Sequence, residues 1–139
     1  MNLKTCVFVV SLALAALTAA HAETEAVIAA TASAGTWLVL VDEGKYAQSW
    51  KTAAGYFQRA VTETNWVASL TAVRKPLGKL GSRKAGSTLE ANSLPGAPEG
   101  KYVVLQFDTA FENKKSAVET VTCMLEKDGK WKVAGYFIK

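Results

Sequence analysis

From Gly100 to Lys139 the apolar side chains fall on odd positions: Val103, Leu105, Phe107 and Phe111, then Val121, Cys123 and Leu125, then Trp131, Val133 and Phe137. A period of two belongs to strands that bury one face, so the spacing predicts three consecutive antiparallel strands whose shared parity marks the core side. By that parity Cys123 is an inward thiol, and Trp131 buries its indole beneath whatever covers the sheet. Lys127-Asp128-Gly129-Lys130 separates the second and third runs, and Asp-Gly offers two residues able to take positive φ in a tight hairpin.

Upstream the period becomes helical. Glu23 to Asp42 is rich in alanine, with Val27, Thr31, Ala34, Leu38 and Val41 at three- and four-residue steps and Gly44 as a stop. A second helix starting near Lys45 places Tyr46, Trp50, Ala54 and Phe57 on one stripe. Thr62 caps a third, whose Trp66, Leu70 and Val73 face one way and which Pro76 and Gly78 end. Trp37, Trp50 and Trp66 read as core. From Arg74 the chain reads as a loop with Arg74, Lys75, Lys79, Arg83 and Lys84 and no acid among them, running into a short edge strand from Arg83 to Leu89. Lys and Arg on such a strand discourage edge-to-edge pairing. Leu94 to Gly100 holds Pro95, Gly96 and Pro98 and is a rigid turn into the central strands. The fold class expected is α+β, with N-terminal helices packed on a curved antiparallel sheet of about four strands.

The first residues change the available chemistry. Met1 to Ala22 carries Lys4, an apolar run from Cys6 to Leu17 and a small-residue site Ala20-His21-Ala22, the pattern of a cleavable export signal that directs the chain to the periplasm or beyond. Cys6 stands at the start of the apolar run, far ahead of the cleavage point, so it is not a lipidation cysteine at the cut. No later segment reads as approaching the roughly 20 apolar residues of a membrane span, so the expectation is a 22-residue signal followed by one α+β domain over 23–139, without stable membrane insertion. That mature part has 15 basic side chains, 16 less Lys4, against 12 acidic ones. It keeps Cys123 alone, which has no partner for an intramolecular disulfide.

The only histidine, His21, leaves with the signal. Ser-His-Asp and Cys-His catalysis are thereby excluded from the mature chain, and the carboxylates show no calcium-loop spacing. Gly78 and Gly81 flank Lys79-Leu80 without the strand before and helix after that a phosphate-binding loop needs. A carboxylate base beside a Tyr donor stays open in principle. Against it, Asp108 has outward parity, Glu119 has inward parity but lies near a strand start, and Asp42 lies at a helix end. Each reads as structural or solvated.

Trp37 to Tyr46 with Ser49-Trp50, Arg74 to Gly78 with Arg83, Leu94 to Gly100 followed by Tyr102 to Lys115, Glu119 to Thr122, and Asp128 to Trp131 through Gly135 to Ile138 together resemble a family of small exported bacterial proteins of unknown function. The resemblance covers nearly the whole mature chain and brings no activity with it. The order of elements is similar to the cone-shaped fold of nuclear transport factor two and the ketosteroid isomerases, with cystatin-like folds as neighbours. It implies an apolar hollow between helices and sheet. A non-catalytic ligand- or partner-binding module is the reading preferred, with a carboxylate-based enzyme of the isomerase kind or a structural envelope protein as alternatives. The implied partner is a small anionic or apolar ligand or an envelope protein. No cofactor, no metal and no nucleic acid are implied, and the oligomeric state stays open. The binding residues expected are Arg74 and Arg83 at a rim, suited to carboxylate or phosphate, with Tyr46 or Trp50 as an aromatic wall. Alternatively both arginines brace the loop by donating to backbone carbonyls or pairing with Glu90 or Glu99.

Exported material is expected to begin at Glu23, which intact mass measures directly; full-length chain held in the inner membrane would overturn the cleavage site.

Overall fold

The computed structural model describes residues 22–139; the export signal expected before that point lies outside the described residues. Helix α1 (Glu25–Asp42) starts where the Thr24 side chain accepts from the Val27 N–H at 3.2 Å, and Glu25 sits favourably in its first turn. It stops at Gly44, whose φ of 74° lets its N–H reach the Val41 carbonyl while the Lys45 N–H reaches Leu40. Val27, Ala30, Ala34, Trp37, Leu38 and Val41 form the buried stripe, and α1 touches all four strands. By length and composition α1 is also apolar enough to cross a membrane, with a mean hydropathy of 1.3 over 18 residues, which corrects the expectation that no later segment comes close. Here its apolar stripe is used on the sheet.

The single aromatic helix expected after Gly44 is two short ones, α2 (Tyr46–Lys51) and α3 (Gly55–Ala60). The chain leaves helical geometry because the Ala54 N–H is drawn to the Val133 carbonyl on the sheet edge, at 2.8 Å. Ser49, fully buried, joins the surrounding tryptophans: its carbonyl accepts from Trp37 Nε1 at 2.8 Å and its hydroxyl from Trp66 Nε1 at 3.0 Å. Trp37, Phe57, Trp66 and Tyr136 then meet ring on ring, with centroids 4.8 to 6.1 Å apart. Aromatic packing thus occupies the helix–sheet space where an apolar hollow was expected.

Helix α4 (Glu63–Leu77) is capped by Thr62, as its sequence predicts. Arg74 and Lys75 belong to its last turn rather than to a loop, and there they complement the negative end of the helix dipole. Val73 is 45% exposed; the buried positions are Trp66, Leu70 and Arg74.

Four strands follow: β1 (Leu80–Ala91), β2 (Tyr102–Phe111), β3 (Lys114–Leu125) and β4 (Trp131–Ile138), antiparallel in the order β1-β2-β3-β4. The chain is therefore α+β, with its helices preceding a four-stranded antiparallel sheet. Strand β1 is longer than the Arg83 to Leu89 segment expected and does lie at the edge. The turn between β2 and β3 contains no glycine; the Glu112 and Asn113 N–H groups instead donate to Lys79 and Leu77, which ties the tip of the hairpin to the α4–β1 link. In the β3–β4 turn only Gly129 takes positive φ, at 82°, while the Asp128 carboxylate accepts from the Lys130 N–H.

Odd parity holds for Val103, Leu105, Phe107 and Phe111 on β2, for Val121 and Cys123 on β3, and for Val133 on β4. It fails at the end of β4. Cys123 pairs with Val133 but Thr122 with Gly135, so Ala134 is a bulge residue that inverts the alternation. Tyr136 consequently faces inward and Phe137 is 51% exposed. Trp131, at the strand start, is half-buried against the core rather than enclosed, which corrects the expectation of full burial.

Cys123 is fully buried, its thiol directed at the Ala30 carbonyl, and burial pushes its pKa up to about 12. It is expected to stay unlabelled by iodoacetamide at pH 9 in the folded protein and to react once urea unfolds the chain. Rapid native labelling would show that β3 is placed wrongly.

Candidate functional site: a buried ion network and the cleft beside it

One polar side chain from each long helix and each strand converges at one end of the sheet. Asp42 closes α1, Arg74 lies in the last turn of α4, and Arg83, Thr109, Glu119 and Tyr136 come from β1, β2, β3 and β4. An acid at a helix C-terminus meets the unfavourable end of the dipole, and Asp42 answers this with two guanidinium partners. Arg83 Nη1 and Nη2 donate to Asp42 at 2.8 and 2.9 Å, and Arg74 Nη2 donates to Asp42 Oδ1 at 3.0 Å. The other edge of Arg83 grips Glu119, with Nε at 2.7 Å from Oε1 and Nη2 at 3.1 Å from Oε2. Burial alone would lower the Arg83 pKa, but the hydrogen bonds and charges of Asp42 and Glu119 outweigh it and hold the guanidinium above its ordinary value.

Glu119 is 0% exposed. Besides Arg83, its Oε1 accepts from Thr109 Oγ1 at 2.7 Å and its Oε2 accepts from the Tyr136 hydroxyl. Burial, then the Glu119 charge and hydrogen bond, push the Tyr136 phenol well above the usual tyrosine range, with Arg74 and Arg83 pulling the other way, so the phenol stays a donor. The carboxylate-beside-phenol pairing that the sequence leaves open is thus present. Its acceptor positions are nevertheless filled, because a carboxylate offers about four lone-pair sites and Glu119 uses two on each oxygen. A substrate proton finds no base at this atom unless the network first opens.

Arg74 is bound differently. It is 5% exposed, and its guanidinium stacks over Phe111 with 4.8 Å between Cζ and the ring centroid. Its Nε and Nη1 are, among the described residues, the only buried side-chain nitrogen or oxygen atoms without a hydrogen-bond partner. Arg74 lines a cleft of about 390 Å³ together with Tyr46, Thr71, Lys75, Lys79 and Glu112. Gly78 forms part of its floor with φ 74°, where a Cβ would fall 2.9 Å from that of Glu112, so the helix end and the β2–β3 hairpin are held close. A larger cleft, about 670 Å³, lies at the far end of the sheet beside α3; there Glu126 is already engaged by Lys132 and the Gly55 N–H.

Of the four binding residues expected from sequence, the structure brings Arg74 and Tyr46 to one cleft and joins Arg83 to them through Asp42. Trp50 stands apart, its indole donating to the Val61 carbonyl at 2.7 Å and its ring packed on the core. The acids expected to brace the arginines are also different: Asp42 and Glu119 do so, while Glu90 accepts from the Thr24 hydroxyl. The sequence pattern alone does not mark Asp42, Thr109, Glu119, Tyr136 and Phe111 as one cluster. The usable signal was the odd parity shared by Glu119 and Arg83, two opposite charges on the buried face.

A helical layer over a four-stranded antiparallel sheet, with a closed ion network at one end, describes the class of protein. The chain belongs to the family described as Protein of unknown function (DUF4019), which matches residues 33–136. A comparison with curated proteins returned no match.

Glu119→Gln is expected to lower unfolding free energy by about 3 to 5 kcal/mol, since it removes half the compensation of a buried Arg83. Tyr136→Phe should lose about 1.5 to 3 kcal/mol, because the donor it removes serves a buried carboxylate. Urea unfolding followed by circular dichroism measures both, and equal small losses would mean the network carries little of the fold.

Proposed function

We propose that this protein is an exported, non-catalytic binding module that seats a small anionic ligand in the cleft beside Arg74. The single observation that carries this reading is the Arg74 guanidinium: nearly enclosed, held on one side by Asp42 and on one face by Phe111, with its Nε and Nη1 donors buried and unpartnered, in a residue that lines the cleft. Leaving buried donors unpaired costs about 1 to 3 kcal/mol, which an incoming anion would recover. Tyr46 provides the aromatic wall, Arg83 fixes Asp42 and through it Arg74, and Trp50 contributes to the scaffold that carries Tyr46. The export half of the reading is supported by the pattern of Met1 to Ala22. The likeness in element order to nuclear transport factor two supports looking for a ligand between helix ends and sheet.

Thermal melts in the presence of a panel of small anionic metabolites test it. The wild type should gain melting temperature with at least one of them, because a ligand that binds only the folded state stabilises by mass action. Arg74→Gln should abolish the gain and remain folded, since Asp42 keeps its two bonds to Arg83. Arg83→Gln should instead lower the melting temperature of the free protein. If Arg74→Gln responds to ligand as the wild type does, the seat is elsewhere.

A further inference from the structure

We propose that the group received by Arg74 is the single carboxylate of a small organic acid, in preference to a phosphate or sulfate dianion; this rests on the ligand seat proposed above and specifies its chemistry. The first argument is charge. Within the network Arg83 and Glu119 cancel, and around the cleft Arg74, Lys75 and Lys79 exceed Asp42 and Glu112 by one positive charge. A monoanion brings this corner to neutrality. A dianion would leave excess negative charge beside Asp42 and Glu112.

Helix direction points the same way. Phosphate sites are commonly built on helix N-termini, where N–H groups and the positive dipole end face the ligand. Here the two long helices, α1 and α4, bring their C-terminal ends to the cleft, at Asp42 and at Lys75 and Gly78. Their negative ends oppose added negative charge, most strongly for a dianion. Helix α2 does begin at Tyr46, but with six residues and no capping side chain it offers little to offset them.

The donor geometry then fits a planar acceptor. Nη2 of Arg74 carries two hydrogens and Asp42 takes one, so one two-pronged edge of the guanidinium, Nη2 with either Nε or Nη1, has no partner in the protein; Nε and Nη1 are both buried, so a ligand reaches that edge by displacing the side chains that cover it. Such an edge matches the two oxygens of a carboxylate. A cleft of about 390 Å³ lies near the lower bound of ligand cavities. It is roomy for an inorganic ion and suited to a short organic body resting on the Tyr46 ring.

The test follows the Arg74 Nε–H resonance, identified by its loss in Arg74→Lys, through titrations with sodium benzoate, sodium hexanoate and phenyl phosphate at constant ionic strength. Expected are saturable shifts with either carboxylate at concentrations about tenfold below those phenyl phosphate requires. Glu112→Gln, an exposed rim change that removes one negative charge, should narrow that gap. Phenyl phosphate binding as well as or better than benzoate, or a gap that Glu112→Gln leaves unchanged, would overturn the carboxylate assignment and leave the seat standing. If none of the three probes moves the resonance, the seat itself falls, and the assignment with it.

Discussion

Arg83 is the side chain through which the two layers are joined. One edge of its guanidinium holds Asp42 at the end of α1, the other holds Glu119 in the middle of the sheet, and all of its hydrogen bonds here are to those two carboxylates. Removing two carboxylates and a guanidinium from water is expensive, so a pairing of this kind is weak grounds for high stability. It does constrain geometry. With Arg74, Thr109 and Tyr136 attached, six elements must arrive together for the network to be complete. The apolar core is permissive by comparison, since Val, Leu and Ala stripes tolerate small shifts that a bidentate carboxylate does not.

Local periodicity carries a large share of the fold. The alternation along β2 and β3, the Thr24 and Thr62 caps and the Gly44 stop can all be read from neighbours in sequence, because the physics involved spans a few residues. Departures from that reading have tertiary causes. The stripe Tyr46, Trp50, Ala54, Phe57 suggests one helix, yet Ala54 satisfies a sheet-edge carbonyl and splits it. The Ala134 bulge exchanges the roles of Tyr136 and Phe137, and the adjacent Gly135 is the one local sign of it in the sequence. Without that bulge Glu119 would lose its phenol donor, so the one irregularity of β4 is also what completes the network.

The candidate site was legible only in part. Arg74, Arg83 and Tyr46 stood out as basic or aromatic residues, but a charge run does not say which of its members turn inward. The separations explain why: Arg83 lies 41 residues from Asp42 and 36 from Glu119, and Arg74 lies 32 from Asp42. Burial divides what the sequence grouped together, enclosing Arg74 and Arg83 while Lys75, Lys79 and Lys84 stay exposed. Trp50 was grouped with them on helical spacing to Tyr46, and the short α2 turns its indole toward Val61 instead.

The two arginines differ in one respect that bears on any role for this corner. Arg83 has each of its nitrogens engaged by a carboxylate, and Glu119 has both oxygens doubly engaged, so a ligand there would have to break existing bonds before forming its own. Arg74 has one bond to Asp42, a ring beneath it and two nitrogens unspent. The Asp42–Arg83–Glu119 bonds set where Arg74 stands, and Arg74, with two nitrogens buried and unpartnered, lines the cleft beside them. For the seat proposed above, pre-organisation of this kind would lower the entropy lost on binding, because the guanidinium is already held by packing and by Asp42. The arrangement therefore places side by side a set of charges that satisfy one another, at Arg83 and Glu119, and a buried charge with donors left over, at Arg74.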